Sequence, residues 1–164
     1  MFNQYDLTLF RIGMMSGNWT QHSFLAQDDP KNDLKTALTV IETPYNATAF
    51  NDGYHTSHHL NPIRHWQDHP EHFVDNAATF RDSRVIIFRN IDYWGIFCML
   101  MVQNYDVLAA KFVDLTGKMT LEEKKMYLKE RTRRLSEKEI QLSYYSDRMN
   151  NDVSVLKNNK LKSQ

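Results

Sequence analysis

The 164-residue sequence predicts a mainly α-helical fold, and three observations support this prediction. Residues 91–113 repeat apolar side chains at the i, i+3, i+4 and i+7 spacing of one helix face. Two capping boxes follow, T-x-x-E at 120–123 and S-x-x-E at 136–139, and each marks the start of a helix. Only two short runs have a composition typical of strands: 37–43, which could also be an ordered extended segment, and 85–88, which could also lead into a helix.

The first half of the chain is predicted to consist of short elements. Residues 2–16 form a helix or an extended apolar segment, which the Gly-Asn pair that follows is expected to end. Residues 27–35 are charged and aperiodic, which is typical of a loop. The strand or extended segment at 37–43 stops at a proline, and turn-forming residues then lead into a helix over 54–60.

The second half is predicted to be longer and more helical. Pro62 and Pro70 predict breaks in the backbone just before each of them. Residues 71–81 then form a short helix. Residues 91–113 form one amphipathic helix that packs as core, or alternatively meets a membrane surface through its aromatic residues. The two capping boxes predict two further helices within 118–149.

Charge and cysteine content exclude some classes of function. The chain has 20 basic and 20 acidic residues, and the resulting net charge of zero argues against a nucleic-acid binder that works by bulk electrostatics. Cys98 is the only cysteine, so an intrachain disulfide and a cysteine-based zinc knuckle are both excluded. The longest apolar run, residues 91–102, is shorter than a membrane-spanning helix requires.

Histidine is the residue type whose placement points to chemistry. All seven histidines lie between His22 and His72, and six of them fall within residues 55–72. His55, His58 and His59 form an H-x-x-H-H motif, which on a helix places three imidazoles on one face. Neutral imidazole nitrogens suit iron, zinc and copper, so the motif predicts a metal site, with a solvated polar face as the alternative.

The remaining histidines are weaker candidates. Asn18 and His22 form an N-x-x-x-H pair, in which an amide could support the environment of a metal held by the imidazole. His65 is a possible further ligand, although the prolines beside it need not leave it on the same face as the motif. For His69 and His72, pairing with neighbouring acidic side chains is the favoured interpretation.

The histidine motifs resemble those of a known family. The runs GNWTQHSF at 17–24 and FNDGYHTSHHLNPIRHWQDHP at 50–70 resemble the C-terminal half of membrane fatty acid desaturases. The resemblance extends from about residue 10 to about residue 115. It implies a di-iron centre, held by histidines on the cytosolic side of a bundle of transmembrane helices, that activates O₂ to introduce a double bond into an acyl chain. Matching positions imply iron ligands at His22, His55, His58 and His59, and support of a metal-bound water by Asn18.

The resemblance also carries expectations about context. It implies an acyl-lipid substrate, contact with membrane lipid, cytochrome b5 as the candidate electron donor, and a place at the cytosolic face of the endoplasmic reticulum membrane. The family's two earlier histidine boxes have no counterpart upstream of His22. We therefore expect a C-terminal fragment with an incomplete di-iron centre, inactive as an oxidoreductase on its own.

This interpretation divides the chain into four parts. Residues 1–16 would be the end of a truncated transmembrane helix and residues 17–117 the desaturase-like cap that carries the histidine motifs. Residues 118–149 would be a helical extension, and residues 150–164 a disordered tail.

Two other functions remain open from the sequence. One is a soluble, non-catalytic domain in which the four matched histidines hold a structural zinc ion, because four nitrogen ligands satisfy a tetrahedral site. The other is a helical interaction protein whose histidines bind no metal.

Overall fold

A computed structural model describes residues 4–30, 32–139 and 141. The chain divides into two compact units, Met1–Thr132 and Arg133–Gln164. The elements of the first unit are, in chain order, α1 (Gln4–Gln21), α2 (Asp33–Thr36), β1 (Leu38–Ile41), α3 (Pro44–Thr48), α4 (His55–Leu60), a 3₁₀ turn (Trp66–Asp68), α5 (His69–Asp75), α6 (Ala77–Asp82), β2 (Ile86–Arg89), α7 (Tyr93–Met101), α8 (Tyr105–Lys111) and α9 (Leu121–Arg131). The mainly helical fold class is thus confirmed.

Helix α1 is longer than the sequence predicted. It continues through Gly17 and Asn18 to Gln21, so the expectation that this pair ends the helix was wrong. The reason is packing: α1 lies against α7, and the ring of Trp19 meets the ring of Phe97 edge-on at 5.9 Å. Packing of this kind offsets the cost of about 1 kcal/mol for a glycine inside a helix.

Much of the surface of α1 is apolar and exposed. Its exposed apolar side chains include Leu9, Phe10, Ile12, Met14 and Met15. Within the residues that the structure describes, no helix combines the length and the hydropathy needed to cross a bilayer. Whether residues 1–16 end a longer transmembrane helix therefore stays a prediction.

Both candidate strand segments form strands, and the two strands pair with each other. β1 and β2 are parallel, with Leu38 opposite Ile86 and Val40 opposite Phe88. These four side chains share one face of the sheet and belong to the main core cluster, together with residues of α7, α8 and α9. Ile87 points to the opposite face, where it packs with Phe80 and Val85 in a second, smaller cluster.

Two loop and helix predictions need correction. The charged segment at 27–35 is not entirely a loop, because Asn32 caps α2 by accepting a hydrogen bond from the backbone N–H of Leu34. Residues 91–113 form two helices rather than one. The chain breaks at Gln103, whose φ is +54°, and the side chain of Asn104 then caps α8 by accepting from the N–H of Val107.

The aromatic residues of α7 lie in two environments. Tyr93 is only 3% exposed, and its hydroxyl donates to the carbonyls of Asp52 and Gly53. It is therefore a core residue, and the alternative that placed it at a membrane surface was wrong for this side chain. Trp94, its neighbour, is half exposed.

Both capping boxes form as predicted. Thr120 and Glu123 exchange hydrogen bonds at the start of α9. In the second unit, Glu139 accepts from the backbone and hydroxyl of Ser136, whose own oxygen accepts from the N–H of Glu139. The rest of the predicted second helix and the predicted tail at 150–164 lie outside the described residues.

Candidate metal centre

Helix α4, which carries the H-x-x-H-H motif, is fixed to the sheet by Thr56. The hydroxyl of this fully buried residue donates to the carbonyl of Ala37 and accepts from the hydroxyl of Thr39, each at 3.1 Å. Just before the helix, the carbonyl of Gly53 accepts from the N–H of Val40 at 2.7 Å. These hydrogen bonds to β1 and to the residue before it therefore fix the position and orientation of α4.

Three histidine rings meet beside this helix. His55 and His59 are one turn apart on α4, and His22 follows directly after α1. The Nε2 atom of His55 lies 3.2 Å from Nε2 of His22 and 3.1 Å from Nε2 of His59. One ring nitrogen from each of the three residues, which we call the histidine cluster, lies within 4.8 Å of the other two.

Two rings of the cluster are held in their orientation by hydrogen bonds to residues outside the cluster. The Nδ1 atom of His22 donates to the carbonyl of Thr36 at 3.1 Å, and Nδ1 of His59 lies 3.2 Å from the carboxylate of Asp33. A neutral imidazole that donates from Nδ1 carries its lone pair on Nε2. These outer contacts therefore aim two lone pairs into the centre of the cluster, as carboxylates and carbonyls commonly do for metal-binding histidines.

His55 is the most deeply buried of the three and is only 8% exposed. Its burial, followed by the charges of His59, His22 and His58, lowers the pKa of His55 from 6.5 to about 3. The ring is consequently neutral at physiological pH, and a neutral ring is the form that binds a metal ion. Its outer Nδ1 atom has no hydrogen-bond partner among the described residues.

The donor set fits a metal ion. With lone pairs on Nε2 of both His22 and His59, the single N–H that His55 can direct inward satisfies only one of them. A cation at the centre would satisfy all three nitrogen atoms. Three imidazoles bound to one tetrahedral zinc at about 2.0–2.1 Å have nitrogens about 3.3 Å apart. The separations of His55 from His22 and from His59, 3.2 and 3.1 Å, are close to this value, and the remaining pair lies within 4.8 Å.

The other predicted site residues lie further out. His58 is exposed; its ring is stacked beside that of His55, with centroids 5.9 Å apart, and it is not part of the histidine cluster. Asn18 is exposed and lines a pocket of about 490 Å³ beside Trp94. His65 is exposed, and its Nδ1 atom accepts from the N–H of Gln67. Their metal-related roles stay predictions.

Sequence reasoning missed several contributors to the site. Asp33 lies in the segment 27–35 that was predicted as loop, and Thr36 directly follows that segment. Only the capping signal of Asn32 could have indicated a fixed structure there. His69 and His72 were expected to pair with acidic neighbours. Both instead form hydrogen bonds to the hydroxyl of Ser57 on α4.

Comparison with known proteins identifies the class to which this site belongs. The model of the fatty acid desaturase family matches residues 6–90, just over half of the chain, and this range contains the whole histidine cluster. The chain belongs to the fatty acid desaturase family. The searches of curated proteins and of solved structures returned no match.

Proposed function

We propose that the chain is the metal-binding C-terminal part of a fatty acid desaturase, in which His22, His55 and His59 hold an iron ion of a di-iron centre. The observation that carries the proposal is the convergence of three Nε2 atoms in a chain of this family. Iron held by imidazoles would supply the O₂ activation that is needed to remove hydrogen from an unactivated methylene group. His58 is proposed to serve the same centre from its exposed position on α4.

Each residue of the site contributes in a distinct way. Burial keeps His55 neutral, so that it binds the ion without first losing a proton. Thr36 holds the ring of His22, and Asp33 holds the ring of His59, in the orientation that presents Nε2. Imidazole ligands also tolerate oxidising chemistry, whereas cysteine thiolates would be oxidised.

The proposal extends to substrate and location. Family membership supports an acyl-lipid substrate. The exposed apolar side chains of α1, among them Leu9 and Phe10, support contact with membrane lipid. We propose a position at the cytosolic face of the endoplasmic reticulum membrane, with cytochrome b5 as electron donor. The net charge of zero gives no support to a nucleic-acid partner.

The test uses the full chain, purified in detergent, and Co²⁺ as a spectroscopic probe. Co²⁺ should bind once per chain, and the binding should be lost in His55→Ala and His59→Ala. His65→Ala is the matched control, because this histidine lies outside the cluster and should leave binding unchanged. Binding that survives in His59→Ala, or absence of binding in the wild-type chain, would contradict the proposal.

The same titration separates iron chemistry from a structural zinc site. Four-coordinate Co²⁺ absorbs visible light strongly, whereas five- or six-coordinate Co²⁺ absorbs weakly. A structural site closed by four histidines would give strong absorption that depends on His58, whereas a site expanded to five or six ligands by bound water would give weak absorption. Strong absorption that also depends on His58 would therefore favour the zinc alternative over the desaturase centre.

A further inference from the structure

A second group of polar side chains surrounds Ser57, which lies on α4 two residues from both His55 and His59. Ser57 is fully buried, and its hydroxyl oxygen lies 3.0 Å from Nδ1 of His69 and 2.8 Å from Nδ1 of His72. Arg64 donates from Nη1 to the same oxygen and to the carbonyl of Ser57, each at 2.9 Å. The group accounts for two of the three histidines that the metal site leaves unexplained.

The three hydrogen bonds at this hydroxyl use its full capacity. A serine oxygen accepts two hydrogen bonds and donates one. Arg64 supplies one donor, so one of the two imidazoles must donate from Nδ1 while the other accepts at Nδ1 the proton of the hydroxyl. His69 and His72 therefore have opposite tautomers. In this arrangement every polar atom facing the hydroxyl is satisfied.

We propose that Ser57, Arg64, His69 and His72 form a hydrogen-bonded clamp that orients the metal-binding histidines of α4, and that His69 and His72 are positioning residues rather than ligands. The proposal rests on the proposed metal site. Ser57 lies between His55 and His59 in the sequence, so holding its side chain fixes the rotation of α4 about its own axis.

The geometry of a helix shows why this rotation matters. Cα atoms lie about 2.3 Å from the helix axis, and an imidazole Nε2 atom lies about 6 Å from it. A rotation of about 10° would therefore move Nε2 by about 1 Å. Metal-ligand distances tolerate only about 0.2 Å.

Helix α4 needs such support because it has only six residues. Isolated helices shorter than about 12 residues are marginal in water. Thr56 ties the helix to β1, and Ser57 ties it to α5, which carries His69 and His72. Arg64 adds a cation at the carbonyl of the last turn, where it complements the helix dipole.

The test exploits the difference between the two ring nitrogens of His72. In His72→Asn, the amide replaces Nδ1, the atom that contacts Ser57. In His72→Gln, the amide instead lies near the position of Nε2, the atom that would bind a metal. If His72 is a positioning residue, Asn should keep the Co²⁺ affinity of the full chain within about threefold, whereas Gln should lower it 10- to 100-fold without changing the stoichiometry.

Further outcomes decide between the alternatives. Equal loss in both variants, with an altered Co²⁺ spectrum, would show that His72 is a ligand and overturn the clamp. Unchanged affinity in both variants, and in Ser57→Ala, would overturn it as well. Ser57→Ala is expected to lower the affinity 10- to 100-fold, and the paired His72 variants keep the test decisive if Ser57→Ala does not fold.

A measurement without metal distinguishes failure of the clamp from failure of the proposed function. Long-range ¹H–¹⁵N NMR of the metal-free chain reports the tautomer of each histidine ring. The clamp requires opposite tautomers for His69 and His72, and identical tautomers would overturn it. Absence of Co²⁺ binding by the wild-type chain, together with opposite tautomers, would instead contradict the proposed metal site and leave the hydrogen bonds of the clamp intact.

Discussion

The metal-free chain should lose stability as the pH falls below neutrality, because His55 resists protonation in the folded state. Burial, followed by the charges of His59, His22 and His58, lowers its pKa from 6.5 to about 3. The unfolded chain takes up this proton near pH 6.5, so below that pH the unfolded state binds more protons and is favoured. The loss therefore begins near pH 6.5 and continues to about pH 3. Between pH 7.5 and pH 5.0 it amounts to about 2 kcal/mol.

The assay is urea unfolding in the presence of a chelator at these two pH values. His55→Asn removes the titrating ring, and we expect the decrease in the free energy of unfolding to become smaller by about 2 kcal/mol. In this variant the free energy of unfolding should still decrease somewhat as the pH falls. The reason is that burial, followed by the charge of Arg64, lowers the pKa of His69 and His72 as well.

The matched control is His65→Asn, which changes an exposed histidine outside the cluster. In this variant the decrease in the free energy of unfolding between the two pH values should equal that of the wild-type chain. Asparagine also keeps an acceptor close to the position of the Nδ1 atom that caps the 3₁₀ turn. If His55→Asn and His65→Asn show the same pH dependence as the wild-type chain, the assignment of the destabilisation to the buried ring is wrong.

Three further substitutions test the surroundings of the site. Asp33→Asn should lower Co²⁺ affinity about 10- to 100-fold in a chelator competition, because the amide holds the neighbouring imidazole less strongly than the carboxylate does. Gly53→Ala should destabilise the fold by about 1–3 kcal/mol in urea unfolding, because the added methyl group would overlap Asn46 Oδ1 and Val40 Cγ2. Arg131→Met should cost about 2–3 kcal/mol in the same assay, because it removes the guanidinium that donates to the carbonyl of Phe24. Wild-type affinity in the first variant, or wild-type stability in the others, would contradict these assignments.

Local spacing predicted those parts of the molecule that depend on neighbouring residues. The i, i+4 relation of His55 and His59 placed both rings on one helix face, and the structure brings their Nε2 atoms together. The capping box at Thr120 began a helix as expected. The β-branched runs became strands, although the sequence did not reveal that the two strands pair in parallel.

The contacts that sequence reasoning missed are those between distant parts of the chain. Asp33 and His59 are 26 residues apart, and no spacing rule relates them. The end of α1 was misplaced for a related reason, because packing against α7 keeps Gly17 helical although its propensity favours a break. The break at Gln103 depends on a capping interaction of Asn104 that a continuous apolar repeat conceals.

The histidine motif alone therefore does not make up the candidate metal site. Its spacing supplies two converging nitrogens, and the short α4 is held in position by the hydrogen bonds of Thr56 to Ala37 and of Ser57 to the histidines of α5. The third nitrogen, from His22, and both outer contacts come from residues before β1. A chain with the same H-x-x-H-H motif but without these hydrogen bonds would have the same candidate ligands, but their nitrogen atoms would not be held in positions that suit a metal ion. Because metal bonds tolerate only about 0.2 Å of misplacement, it should bind a metal ion much more weakly.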